Sequence, residues 1–525
     1  MGLPHPAGRP RARACEADAT VGAVARARRA RQGAPLSDAA PLVHELAPAP
    51  DPLETGARFQ DLPFLLFLDS ATDPEHLGRY SFLAADPVTA VRSKGLLTQQ
   101  LVEGKWIRVA GDPLAHVGTL VASHAAAPVA ELPPFQGGAA GYVGYDWGMM
   151  LEHVPRPHYD DLSVPDVLLG LYDWVIAWDH RAGRAWVIST GIPERGVARE
   201  RRAAQRLAFV KDRLARPGAG GLPARQKDAV APGVPPRPAR RSAAPSYPVP
   251  GVPGVRSNFT RQGYLDAVGR VIEYVFAGDI FQANLSQRLE ASLVGTPLDL
   301  YRRLRHRNPA PFAAYLDFGD LVVASSSPER FLRAEPGGRV ETRPIKGTRP
   351  RGLSPEHDAA LARSLLESDK DRAENVMIVD LLRNDLSRAC RAGTVRVPEL
   401  FAVEHYATVH HLVSTVVGEL APEHDAVDLV RAAFPGGSIT GAPKVRAMQI
   451  IAELEPTQRA TYCGSIGYLS VSGALDTSIV IRTCLVLGDD VYFQVGGGIV
   501  ADSDPEQEYH ETLDKARGLI AALVP

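Results

Sequence analysis

Two stretches of this chain carry acids in pairs at helical spacing. Asp371 and Glu374 lie three residues apart in 371-DRAENVMIVDLLRNDLSRA-389, and Glu508 and Glu511 repeat that spacing in 505-PEQEYHETLDKARGLIAAL-523. At this separation both carboxylates of a pair leave adjacent turns of one helix face. Two such helices facing one cavity can hold Mg2+, a hard cation that takes oxygen ligands and keeps positions for water or substrate. Either pair alone is also what a solvated helix face looks like.

Other residue types add different chemistry. Lys346 sits between Ile345 and Gly347 in 343-RPIKGTRPRG-352. A lysine amine becomes a nucleophile when burial or neighbouring cations lower its pKa, and is otherwise an ordinary solvated charge. Arg482 lies inside the apolar run 479-IVIRTCLVL-487, where an unpartnered guanidinium is expensive to bury. It suits a bidentate clamp on a carboxylate, or a structural ion pair. His411, in 409-VHHLVST-415, suits acid–base work or a satisfied place in the core. Three glycine-rich turns, 346-KGT-348, 435-PGGSITGAPK-444 and 496-GGGIV-500, let backbone N–H groups approach an anion. The middle one starts like a P-loop and then breaks, because Ala442-Pro443 stand where Lys and Ser/Thr are needed. That argues against a nucleoside triphosphatase; Pro443 instead is expected to open a helix whose first amides point at an anion. A divalent cation, anion-binding turns, one arginine and one lysine together suggest a small substrate with several carboxylates.

The elements that must position these groups follow from pattern and composition. A chain of 525 residues exceeds one ordinary core, so two domains or one large composite domain are expected. A hydrophobic content of 45% with 22% charged residues is that of a globular protein. The net charge of -2 gives no electrostatic case for nucleic acid, and no apolar run reaches membrane-spanning length. Four cysteines without metal or disulfide spacing fit a reduced, cytoplasmic setting. Residues 1–40, rich in Ala and Arg, are expected to be a disordered extension. Residues 216–256, mostly Pro, Gly, Ala and Arg, are expected to be a flexible linker between an N-terminal region, 41–215, and a catalytic region, 257–525.

Within these regions, 63–70 and 169–179 read as strands and 196–214 as a helix. The run 137-GGAAGYVGYDW-147 lacks G-x-G-x-x-G spacing, so its glycines point to tight packing. Segments 462–471, 476–487 and 491–495 read as an antiparallel meander, and 371–389 and 505–523 as helices. The second helix begins with Asp504 as N-cap, Pro505 at its first position and Gln507 closing a capping box. Helices packed on antiparallel sheets define an α+β fold.

Taken in order, 278-GDIFQANLSQR-288, 325-SSSPERF-331, 344-PIKGTRPRG-352, 371-DRAENVMIVDLLRND-385, 408-TVHHLVS-414, 435-PGGSITGAPKVRAM-448, 464-GSIGYLS-470, 481-IRT-483 and 496-GGGIVADSDPEQEYHETLDKAR-517 closely resemble the chorismate-utilising enzymes. The front of the chain matches more loosely, through 64-FLLFLDSA-71 and 79-RYSFLAADP-87. The resemblance implies antiparallel β-sheets packed face to face with helices outside. It implies Glu374 and Glu511 as Mg2+ ligands, with Asp371 and Glu508 supporting the ion. Gly347 and Gly498 would offer backbone N–H groups, and Tyr468, Arg482 and Lys515 would contact substrate carboxylates, with Gln282, Thr348 and Gly497 in the same binding set. Glu329 would do acid–base work on the departing hydroxyl, with His411 and Ser438 near that group.

The same resemblance bears on the nucleophile. Family members that hydrate chorismate use a lysine where this chain has Gln282, so ammonia is the expected nucleophile. Members that form anthranilate typically have PIAGT where this chain has PIKGT; members that form 4-amino-4-deoxychorismate typically have the lysine. There, the lysine amine adds at C2 as the C4 hydroxyl leaves, and ammonia then attacks C4 and expels the lysine. No glutaminase pattern surrounds any cysteine, so a separate glutamine amidotransferase subunit is expected, and release of 4-aminobenzoate would need another protein. The competing readings are an anthranilate-forming enzyme and a non-catalytic scaffold of the same fold. The stretch 67-FLDS-70 stands where the family's tryptophan-inhibition motif more usually reads LLES.

Overall fold

The computed structural model describes residues 40–73, 75, 77–216, 244–406 and 409–524. The expected extension at 1–40 and most of the expected linker at 216–256 lie outside them. Within the described part of that segment, Tyr247–Pro248 and Arg256–Ser257 form two short strands at the edge of a sheet.

Two large sheets, of 13 and 12 strands among the described residues, carry the fold. Every pairing between their strands is antiparallel. They pack face to face as an α+β sandwich. Leu66, Phe82, Val175, Ile188, Leu316 and Val323 of the first sheet meet Ala140, Tyr142, Leu168, Ile466 and Tyr468 of the second in one core. Helices cover the outer faces. Pro297–Arg307 and Pro505–Leu523 pack on the first sheet, and Asp369–Ser387 and Ala426–Ala433 on the second. Fully burying one large apolar side chain in such layers stabilises by about 1.5–3 kcal/mol.

Strands from the two ends of the chain interleave in both sheets. Leu65–Asp69 pairs with Phe312–Asp317 in the first sheet, and Gly138–Val143 with Ser465–Ser470 in the second. The glycines of Gly138–Val143 are there for close approach to the strands on its two sides, as the sequence suggests. A Cβ at Gly138 would lie 2.3 Å from the Leu469 oxygen, and one at Gly141 2.2 Å from the Leu168 oxygen.

Two of the expected strands divide. The run 169–179 breaks at buried Asp173 into Val167–Tyr172 of the second sheet and Trp174–Asp179 of the first. The Asp173 carboxylate accepts from Arg202 and Arg206 of the helix Gly196–Ala215. The run 476–487 likewise divides into Leu475–Ile479 of the second sheet and Thr483–Leu487 of the first. Beside it, Leu321–Ser327 of the first sheet continues as Arg330–Ala334 of the second. Each chain therefore changes sheets in mid-run, and the last two cross side by side, paired before the crossing and after it.

Candidate active site

Glu329 and Arg482 sit at that double crossing. Arg482 takes a positive φ of 50° there, a left-handed conformation uncommon for a side-chain-bearing residue. Ser326 N donates to the Arg482 oxygen at 3.1 Å and Ile479 N to the Glu329 oxygen at 3.0 Å, so the two crossings are tied together. Glu329 is buried. Its Oε1 accepts from Ser438 Oγ at 2.8 Å and from Ile345 N at 3.4 Å. Burial pushes its pKa up to about 7, against the opposing pull of the Ser438 hydrogen bond and of nearby Lys346 and Arg482. A carboxyl poised there holds or gives a proton near neutrality.

Lys346 reaches the same place from the strand Ile345–Pro350, whose register against Val409–Glu419 breaks between Ile345 and Thr348. A bulge of this kind re-aims a side chain, and Gly347, with φ of 79°, supplies the backbone conformation it needs. As a residue Lys346 is half-buried, yet desolvation of its ammonium lowers the pKa, with Lys515 assisting and Glu374, Glu329 and Glu511 opposing. The amine thus lies electrostatically between Glu329 and the acids of the two helices. Burial also lowers the Arg482 pKa, with Glu329 opposing. Among the described residues, the side chains of Lys346, Glu374 and Arg482 have no hydrogen-bond or ion-pair partner. Three uncommitted charges around one place are what a multiply charged substrate requires.

His411 is buried on Val409–Glu419, with Nδ1 2.9 Å from Thr348 Oγ1. Burial and Arg482 push its pKa down to about 3, so it serves as a neutral imidazole. Gln282 is buried at the start of the strand Gln282–Ser292, and its Oε1 has no partner among the described residues. A Cβ on Gly498 would lie 1.9 Å from Gln282 Nε2. Gly498 therefore makes room for the Gln282 amide, a use the sequence did not suggest. Gly497 lies against the acidic helix, where a Cβ would come within 3.1 Å of Glu508 Oε2 and 3.6 Å of Glu511 Oε1.

The four acids do approach one region. Glu374 feels Asp371 and Glu511, and Glu508 feels Glu511; burial first, then this repulsion, raises the pKa of Glu374 and Glu508. At Glu511 burial opposes ionisation, but Lys515, with help from Lys370 and Lys346, lowers the pKa on balance. The donors are all oxygen and mostly anionic, the chemistry that Mg2+ takes. Their arrangement is not that of a ligand shell. Glu511 is paired with Lys515 at 2.6 Å, Asp371 with Arg349 at 2.8 Å, and Glu508 accepts from Ser503 at 2.6 Å. Among the described residues no three His, Cys, Asp or Glu side chains stand together as an ion site. Lys515 also donates to the Gly496 oxygen at 2.9 Å.

Tyr468 does not join the site. On Ser465–Ser470 the alternation of strand side chains turns Ile466 and Tyr468 into the core between the sheets. There the Tyr468 ring stacks on Phe135 at 4.7 Å and meets Phe82 edge-on at 5.4 Å. It lines a separate cavity of about 390 Å3 together with Asp69, Ser70, Arg330 and Asp476. Leu68, Asp69 and Ser70 of the 67-FLDS-70 stretch line it, and the Asp69 carboxylate already accepts from Tyr301 at 2.9 Å and Arg305 at 2.5 Å. Pro443 also differs from expectation. It precedes the helix Lys444–Leu454 as its cap residue, and Lys444 in the first turn is buried with its ammonium 2.7 Å from Asp385.

Sequence reasoning missed the groups that hold the site up. Glu455 and Arg459, both fully buried, pair at 2.6 Å. Arg459 also donates to the Asn284 and Ile439 oxygens, and Glu455 accepts from Ser286. The pair thus braces the Gln282 strand against the turn that carries Ser438. Its signal was present as an i,i+4 spacing in 455-EPTQR-459. Arg459→Met leaves Glu455 as an uncompensated buried charge and is expected to destabilise the protein by about 3–5 kcal/mol, measured by urea unfolding. Asn375, buried beside Glu374, was also missed; it accepts from Ser414 at 2.6 Å and leaves its Nδ2 free of partners among the described residues.

A model of the chorismate binding enzyme family matches residues 68–521, and the chain belongs to that family. It is 42% identical to aminodeoxychorismate synthase component 1 of Salmonella typhimurium, over 88% of this chain and 93% of that protein. It is 39% identical to anthranilate synthase component 1 of Pseudomonas putida, over 91% of this chain and 94% of that protein. Among solved structures it resembles anthranilate synthase component I from Streptococcus pneumoniae, with a TM-score of 0.68, 33% identity, and 84% and 92% of the two chains covered.

Proposed function

We propose that this chain aminates chorismate at C4, acting with ammonia from a separate glutamine amidotransferase to give 4-amino-4-deoxychorismate, as aminodeoxychorismate synthase component 1. The observation that carries this reading is Lys346, desolvated and without an ion-pair partner among the described residues, electrostatically coupled to a Glu329 held near neutrality.

In this reading Arg482 takes a substrate carboxylate, because among the described residues no carboxylate is hydrogen-bonded or ion-paired to its guanidinium. Protonated Glu329 gives its proton to the C4 hydroxyl, which departs as water. The neutral Lys346 amine adds at C2 as that bond breaks, and the ring double bonds shift between the two carbons. Ammonia, which no lysine at Gln282 competes to replace with activated water, then bonds to C4 and returns Lys346 as a free amine. Neutral His411 and Ser438 complete the hydrogen bonding around the departing group. Glu374 and Glu511, with Asp371 and Glu508, would hold Mg2+, which supplies positive charge for the ring carboxylate. Lys515 would have to release Glu511 for this.

The 39% identity to an anthranilate synthase component supports a second reading, attack of ammonia at C2 with loss of pyruvate. Product identification separates them. The purified chain with chorismate, Mg2+ and ammonium is followed by a lyase that releases 4-aminobenzoate from 4-amino-4-deoxychorismate. The expected product is 4-aminobenzoate; fluorescent anthranilate in its place assigns the second reading, and no consumption of chorismate assigns a scaffold. The metal is tested apart from turnover: Glu511→Gln is expected to raise the Mg2+ concentration that half-saturates binding heat by at least about 10-fold. Unaltered heat would remove Glu511 from the ion.

A further inference from the structure

Two buried side-chain oxygens beside the site have no donor. Side chains alternate along the strand Gln282–Ser292. Ala283 and Leu285 enter the core under the outer helices, with Tyr264, Ala447 and Tyr509, so Gln282, Asn284 and Ser286 share the opposite face. Ser286 Oγ is committed, donating to Glu455 at 2.7 Å and accepting from Gln494 at 2.9 Å. Gln282 and Asn284 are buried too, at 1% and 8% exposure, yet among the described residues Gln282 Oε1 and Asn284 Oδ1 accept no hydrogen bond. An orphaned buried acceptor costs stability. Two of them on one face, beginning where the strand reaches the site, call for a function.

The backbone sets the two amides side by side. Asn284 N donates to the Thr440 oxygen at 2.7 Å, and the Asn284 oxygen accepts from Arg459 at 2.6 Å. Both main-chain groups therefore turn away from Gly498, the cross-strand partner of Asn284. Such a pair, without mutual hydrogen bonds, is the closer kind, with Cα atoms about 4.5 Å apart. The place of a Cβ on Gly498 is taken by the Gln282 amide, whose Nε2 lies 1.9 Å from it. The Gln282 amide thus stands where a side chain opposite Asn284 would stand. Thr440, which holds Asn284 N, directly follows the turn of Ser438, and Ser438 is the group bound to Glu329.

Two neutral acceptors without a donor suit a small molecule that has at least two N–H or O–H bonds and needs no counter-charge. Ammonia meets this description: one N–H given to each oxygen leaves its lone pair free for carbon. A carboxylate in the same place would hold ammonium instead, which has no lone pair to give. Water can donate in the same way, but it needs a base to become a nucleophile, and neither amide is one.

We propose that Gln282 Oε1 and Asn284 Oδ1 form the binding site of the ammonia nucleophile, with Asn284 as a residue that sets the affinity for it. This rests on the ammonia-using function proposed above and is indifferent to which ring carbon is aminated.

The test follows chorismate consumption by the purified full chain with Mg2+ as ammonium is varied, counting every product. Asn284→Leu removes the acceptor at similar volume. It is expected to raise KM for ammonium at least about 10-fold, the worth of one hydrogen bond, with KM for chorismate unchanged within about two-fold. Because the variant loses an unsatisfied buried group, it should withstand urea at least as well as the wild type. A purely structural amide gives the reverse, lower resistance to urea with KM for ammonium unmoved. Asn284→Ala, expected to show the same rise, decides the matter if the larger side chain prevents folding. A KM for ammonium within about two-fold of wild type in a folded variant overturns the proposal. So does a parallel rise in KM for chorismate, which would assign the amide to the substrate. A wild-type chain that consumes no chorismate with ammonium removes the functional reading and this inference with it; an active wild type with unmoved variants removes this inference alone.

Discussion

Glu329→Gln is expected to lower kcat by about 10^2–10^4-fold, the usual range for loss of a positioned general acid. The substitution preserves the shape of a buried side chain and its contacts with Ser438 and Ile345, so the fold should persist. What disappears is the transferable proton. The pH dependence gives a second readout with a fixed sign. Glu329 must carry its proton to protonate the departing hydroxyl, and burial holds its pKa at about 7. Activity that depends on it is therefore present below about pH 7 and declines as pH rises through that value. In the glutamine variant the residual rate should lose this alkaline decline. A variant with wild-type kcat, or one whose alkaline limb is intact, would take the acid role from Glu329.

The second large effect is expected at Lys346. Lys346→Met keeps the length and apolar stem of the side chain and removes the nucleophile. Formation of 4-amino-4-deoxychorismate should fall by about 10^3-fold, equivalent to about 4 kcal/mol of barrier. The sign of its pH dependence is opposite to that of Glu329: the amine must be neutral, so the rate that depends on it rises with pH until the lowered lysine pKa is passed. The wild-type profile is then bell-shaped, with Lys346 on the acid limb and Glu329 on the alkaline limb. The informative measurement is the product. If the methionine variant makes anthranilate from chorismate and ammonia, the lysine directs attack to C4; if it makes 4-amino-4-deoxychorismate at the wild-type rate, the amine forms no bond to the substrate.

How much of this was legible in the sequence follows from what each signal measures. The two acidic helices were readable because a three-residue spacing fixes which side chains share a face, and their ends came out as Asp369–Ser387 and Pro505–Leu523. Asp504 caps the second by accepting from Gln507 N; no reciprocal bond from the Gln507 side chain accompanies it. Lys346 was singled out by its neighbours, although the reason it points into the site is a bulge between paired strands, a property of the pairing and invisible in one strand. The changes of sheet at Asp173, Glu329 and Arg482 were not legible. A run of apolar residues reads as one strand whether its two halves bond to the same sheet or to different ones. The same limit explains Tyr468, since alternation separates the two faces of a strand without saying which is the substrate's. Glu455 and Arg459 were overlooked because an i,i+4 pair is usually a surface pair, and here both residues are entirely enclosed.

The interleaved strands also govern how the protein is made. Gly138–Val143 has Val167–Tyr172 on one side, but on the other only Ser465–Ser470, and Gln136 N donates to Ser470 Oγ across 334 residues of chain. At a translation rate of about 5–20 residues per second, the early strand waits about 20–70 s for that partner to leave the ribosome. Throughout that interval a glycine-rich sheet edge is open to any other strand, including the same segment of a neighbouring nascent chain. Yield of the active protein should therefore depend on elongation speed and chaperone supply more than on the final stability of the sandwich.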